Sequence, residues 1–145
     1  MMIGSPSIIG LFCEDIRAEA SGMHTLVGVL PENIDFPKWP AIFPKLYLCV
    51  RYSINPAVDP GPISVNWVMP NAATIAEVVL DQEMVRKSRE AANANGAPLV
   101  GFISQFVVSP LQLSAPGRML AVAHVGDESF VCGSLYVNVK ADPPA

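Results

Sequence analysis

Three groups of side chains in this chain are of types that do chemistry: an acidic cluster, two histidines and three cysteines. Glu14, Asp15 and Glu19 stand close together, with Arg17 among them. Carboxylates gathered at one turn supply the hard oxygen ligands that calcium takes. A calcium loop needs more of them, and only Asp127 and Glu128, in a distant turn, are candidates to add any. An ion pair from Arg17 to Glu14 or Asp15 accounts for the cluster without a metal. His24 and His124 could join a carboxylate at a transition metal. Each falls within an expected strand, however, and nothing in their spacing brings them together. A half-buried imidazole satisfied by one hydrogen bond is the simpler expectation.

Cys13, Cys49 and Cys132 are odd in number and far apart, which argues against a disulfide framework or a zinc site. A nucleophilic thiol needs a base or a cationic environment to lower its pKa. Cys13 precedes Glu14 and Asp15, whose charges act the other way, so packing roles are expected for all three. No G-x-S-x-G elbow, P-loop or dinucleotide fingerprint occurs, and Ser104 lies in mid-strand. The expectation is no catalytic residue, no cofactor and no metal. Aromatic residues are the remaining candidates. Phe36, Trp39 and Phe43 lie in a proline-rich segment, where an exposed ring would anchor a partner, although capping the core is the commoner fate of such rings. Phe102 and Phe106, on a long strand that is apolar on both faces, complete the candidate interaction surface.

The elements that must position these residues are mostly strands. Period-two alternation marks Lys45–Ile54, Ile63–Met69 and Val131–Val139 as strands with one face in a core. Leu46, Leu48, Val50, Val65, Trp67, Leu135 and Val137 are the expected core residues, and Gly133 interrupts the apolar face of the last strand. Ile8–Cys13 and Gly22–Leu30 read as strands joined by a wide polar hairpin over residues 14–21. Leu99–Val108 and Leu111–Ser114 read as one strand interrupted at Pro110, which cannot donate to a ladder. With Arg118–Val125 and the final strand they form an expected three-strand meander. Pro31–Pro44 cannot be a central strand and is expected to be an extended crossover. Asn55–Pro62 is a loop. One helix is expected over residues 82–94, with Asp81 as N-cap, a Glu83–Lys87 pair and a stop at Asn95-Gly96. The fold expected is therefore all-β: one antiparallel β-sandwich domain spanning residues 1–145, immunoglobulin-like or C2-like with a Greek key, and one short inserted helix. A closed barrel is the alternative.

Bulk composition bounds the partners. Nine Lys and Arg in 145 residues, with a net charge of −4, do not make a phosphate-neutralising surface, so no nucleic acid is expected. No apolar run approaches the roughly 18 residues of a membrane span, and the first residues lack a basic n-region and a long apolar h-region, so no export is expected. A cytoplasmic location is expected. Hydrophobic residues make up 51% of the chain and charged residues 15%, a lean polar surface for a small domain. A homodimer follows as an expectation, its interface drawn from the N-terminal hairpin and the strand around Phe102–Val108. The function expected is a non-enzymatic interaction or structural domain within an assembly. The alternative is a small-ligand or metal-binding module using loops at one end of the sandwich.

Phe12-Cys13-Glu14-Asp15-Ile16-Arg17, then Thr25-Leu26-Val27-Gly28-Val29, then Pro44-Lys45-Leu46 follow one another in this order. The series resembles a signature, FC(D/E)DIR…TL(I/V)GV…PKL, of a family of small bacterial proteins, some of them encoded near phage-derived genes. The resemblance covers about the first third of the chain. It implies a single domain, and it implies no catalytic residue, because no activity is assigned to that family.

Overall fold

A computed structural model describes residues 7–140; residues 1–6, the start of the segment read for an export signal, lie outside them. The alternating segments become strands, as a side-chain period of two requires. In chain order the strands are β1 (Ser7–Ala18), β2 (His24–Val29), β3 (Asn33–Phe36), β4 (Ala41–Phe43), β5 (Leu46–Ile54), β6 (Ile63–Val68), β7 (Thr74–Val79), β8 (Val100–Val108), β9 (Leu111–Leu113), β10 (Gly117–Val125) and β11 (Glu128–Val139), and the helix α1 (Gln82–Ala94) lies between β7 and β8. A four-stranded sheet, β2-β1-β5-β8, packs against a five-stranded sheet, β3-β11-β10-β6-β7, and β4 pairs with β9 in a small third sheet. The protein is an all-β sandwich with one short helix.

The core lies between the two large sheets, and its composition follows from alternation. Leu46, Leu48, Val50, Tyr52 and Ile54 of β5 are all buried, as are Ile63, Val65 and Trp67 of β6 and Leu135 and Val137 of β11. Phe12 from β1 meets Trp67 edge to face, with ring centroids 5.3 Å apart. The two sheets also meet where β1 lies against β11. A Cβ built on Gly133 would lie 2.6 Å from the Gly10 carbonyl oxygen, and one on Gly10 would lie 3.3 Å from both Ala121 Cβ and Leu48 Cδ1. Gly133, which looks like a gap in the apolar face, is therefore the residue that lets two backbones touch.

Several expectations need correction. The last third is not a meander: β8 belongs to the four-stranded sheet, whereas β10 and β11 belong to the other. The chain changes sheets at Ser109-Pro110, and the segment after Pro110 becomes β9, paired with β4. The first hairpin is tight rather than wide, because β1 continues to Ala18 and pairs Arg17 with Thr25 and Ala18 with His24. Val131 does not share the core face of β11. Ala121 pairs with Gly133 but Val122 with Val131, so Cys132 is an extra residue, a bulge that resets the alternation. Cys132 packs against the core and Val131 is exposed. The proline-rich stretch holds two short strands, and β3 runs parallel to β11 at the sheet edge. β7, an edge strand beside β6, was not expected at all.

Helix α1 has the expected bounds. The Asp81 carboxylate accepts from the backbone N–H groups of Glu83 (2.9 Å) and Met84 (3.1 Å), which satisfies two of the orphan donors of the first turn. Glu83 pairs with Arg86, not with Lys87, and Arg86 also reaches Glu90. Val85 and Ala92 are the buried face of the helix. Among the described residues, no helix is long and apolar enough to cross a membrane.

Candidate functional site: the outer face of the four-stranded sheet

Residues paired across antiparallel strands point to the same side of the sheet. The β1–β5–β8 register therefore shows which side chains share the outer face. Leu48 pairs with Phe12 and Phe106, and Tyr52 with Ile8 and Phe102; Leu48 and Tyr52 are buried, so these rows face the core. The alternate rows face outward: Ile9, Arg51 and Ile103 in one, Leu11, Cys49 and Gln105 in the next, and Cys13, Tyr47 and Val107 in the third, which Val29 of β2 extends. Ile9, Leu11, Val29, Ile103 and Val107 each leave between 43% and 52% of their surface open to solvent. Apolar side chains gathered on one face in this way are the usual mark of an interaction surface.

That geometry corrects the aromatic candidates. Phe43 and Phe106 are buried, so neither offers a ring to a partner. Phe36, Trp39 and Phe102 are partly buried and pack against the core. Phe36 stands edge-on to Phe43 at 5.1 Å and to Trp39 at 6.5 Å, and the Trp39 indole donates to the Phe36 carbonyl oxygen (3.1 Å). These rings pack on one another and against the core. On β8 the exposed side chains are Ile103 and Val107, not the two rings.

Of the acidic cluster, Asp15 alone is ion-paired among the described residues, and Glu19 accepts a hydrogen bond from the Thr25 hydroxyl (2.8 Å). Asp15 is a β1 residue, 3.3 Å from Lys45 Nζ and 3.6 Å from Arg17 Nε. Lys45 Nζ also lies 4.9 Å from the centre of the Tyr47 ring. A hydrogen bond from Lys45 is the main reason that the Asp15 carboxyl is held below the usual carboxylate range. Residues 12–17, 25–29 and 44–46 thus meet in one place: the first two stretches are the paired strands of the β1–β2 hairpin, and Lys45 of the third ties the hairpin to the start of β5. Gly28 is part of the same construction. Its φ is +63°, and a Cβ there would lie 2.8 Å from Glu14 Oε2, so the Glu14 side chain fills the space above it.

No family model, curated protein or solved structure matches this chain.

Burial pushes the Cys13 and Cys132 thiols up to about 11, and Cys49 also rises above the usual thiol range for the same reason. Cys13 is raised further by its neighbours Cys49 and Asp15. Thiols held protonated at neutral pH are poor nucleophiles. His24 is on β2 and His124 on β10, in different sheets. His124 Nδ1 lies 2.7 Å from Ser129 Oγ, the single hydrogen bond expected of such a residue. His24 Nδ1 is enclosed and has no partner. Among the described residues, no three His, Cys, Asp or Glu side chains converge as metal ligands would.

The outer face also holds a pocket of about 250 Å³, lined by Ile9, Leu11, His24, Leu26, Cys49, Arg51 and Ile103. Its lining brings β2 of the hairpin to the rim of the face. Sequence reasoning missed it. The only available signal was that Ile8–Cys13 and Leu99–Val108 are apolar on both faces, which says that one face is left over but not where a cavity forms.

Proposed function

We propose that this domain is a protein-interaction module that assembles with a second copy of itself through the outer face of the β2-β1-β5-β8 sheet. The observation that carries the reading is the row of half-exposed Ile9, Leu11, Val29, Ile103 and Val107 on one side of one sheet. A twofold arrangement suits a patch of this kind, because the same apolar surface then covers itself. The hairpin-to-β5 contact through Asp15 and Lys45 holds the surface in shape, and we extend that role to the bacterial family whose signature those stretches resemble.

Light scattering over a concentration series tests the reading. Twice the 15.5 kDa chain mass is expected for the native protein. Val107→Glu, which places a charge on the exposed row without touching the core, is expected to return the mass to that of one chain. A native protein that stays monomeric to high micromolar concentration overturns the proposal.

A further inference from the structure

The pocket on the outer face differs in chemistry from the surface around it. Its walls are the aliphatic side chains of Ile9, Leu11, Leu26 and Ile103. Among these walls stand two polar groups. Arg51 is exposed and has no carboxylate within ion-pair distance among the described residues, so its guanidinium is open to an anionic guest. His24 also lines the pocket, and its Nδ1 is enclosed without a partner. A cation and a ring donor set into apolar walls make a recognisable ligand site: the walls take hydrocarbon, and the two polar groups fix one end of the guest. Arginine suits a carboxylate in particular, because its planar fork matches the two oxygens.

We infer that this pocket binds a small carboxylate with an apolar body, its carboxylate on Arg51 and His24 and its hydrocarbon against Ile9, Leu11, Leu26 and Ile103. Volume limits the guest. At about 30 Å³ for each water-sized unit, a pocket of about 250 Å³ holds about eight non-hydrogen atoms, the size of a six-carbon acid. The site goes beyond self-association but lies on the same face, so the guest and a second copy of the chain compete for Ile9, Leu11 and Ile103. Whichever binds first weakens the other, by the same factor in both directions.

Titration calorimetry with hexanoate, and with hexan-1-ol as the uncharged control, tests the inference. It is run on Val107→Glu, whose altered residue lies outside the pocket, so the result does not depend on whether the native protein dimerises. Hexanoate is expected to bind at least tenfold more tightly than hexan-1-ol. Arg51→Gln is expected to erase that preference, while Arg51→Lys retains part of it. Arg51 is exposed, and the folding of each variant is checked by its denaturation midpoint. Absence of hexanoate binding at millimolar concentration overturns the inference, as does equal binding of acid and alcohol, or a preference that survives Arg51→Gln.

Discussion

Adding one methyl group at Gly133 tests the packing of the two sheets. Its Cβ would lie 2.6 Å from the Gly10 carbonyl oxygen, 3.1 Å from the Gly10 carbonyl carbon and 3.4 Å from its Cα. All three are backbone atoms of β1, which is held in register by β5 from Ser7 to Cys13, so no side chain can swing away. Against the clash stands an entropic gain. Gly133 does not have a positive φ, and replacing such a glycine with alanine usually stabilises by about 0.4–1 kcal/mol through the unfolded chain. Overpacking a tight interior costs about 1–3 kcal/mol, and more where backbone must move. The clash is therefore expected to win, leaving Gly133→Ala less stable by about 2 kcal/mol. Gly101→Ala is the control. Its Cβ would meet only the Tyr52 carbonyl oxygen, at an ordinary 3.5 Å, and its φ is not positive. It is expected to be neutral or stabilised by up to about 1 kcal/mol. Urea denaturation of both variants gives the comparison. A Gly133→Ala midpoint equal to that of the native protein would show that the sheets do not touch there.

Leu48 is fully buried between Phe12 and Phe106, and Leu48→Ala is expected to cost about 2–5 kcal/mol in the same assay. Asp15 has a folded pKa below its ordinary value, so its contribution is present above about pH 4 and fades as pH falls through the lowered folded value. In Asp15→Asn that part of the acid transition is expected to disappear, and because the group is exposed, high salt should shrink the difference. Cys13 and Cys132 have folded pKa values near 11 against an ordinary value of 9.0, so their contribution is complete below pH 9.0 and lost as pH rises towards 11. Stability is expected to fall across that window, less so in Cys13→Ala. At pH 7 thiol labelling should be slow until urea is added, and fast labelling of the folded protein would show that the thiols are open.

Alternation made the core of this domain legible because β5, β6 and the end of β11 have one polar and one apolar face. Leu46, Leu48, Val50, Val65, Trp67, Leu135 and Val137 could be assigned from their period, and all are buried. The helix was legible for a local reason as well: Asp81 and Asn95-Gly96 mark its ends chemically. Sheet membership was not legible. Nothing local in residues 99–139 tells β8 to cross to the other sheet, since that choice is made by pairing with β5, far away in the chain. The bulge at Cys132 also leaves no mark in the pattern. It lets Gly133 oppose Ala121 beneath Gly10, which is a tertiary requirement rather than a local preference.

The candidate site was half legible, and the reason lies in strands that are apolar on both sides. In Ile8–Cys13 and Leu99–Val108 the period cannot say which face turns inward, because either register buries hydrocarbon. Large aromatic rings made Phe102 and Phe106 look like anchors, yet size is also what a core rewards. Pairing with Tyr52 and Leu48, whose own face is unambiguous, turns both rings inward and leaves Ile103 and Val107 outside. The clear strand thus settles the ambiguous ones on either side of it. It also settles where Arg51 goes. A charged residue alternating with buried Val50 and Tyr52 must lie on the outer face, and the same register puts Ile9 and Ile103 on either side of it. A lone guanidinium flanked by exposed aliphatic side chains follows directly from that pairing. It is the reason the face has a charged pocket within an apolar surface, and not simply a surface that a second copy would cover.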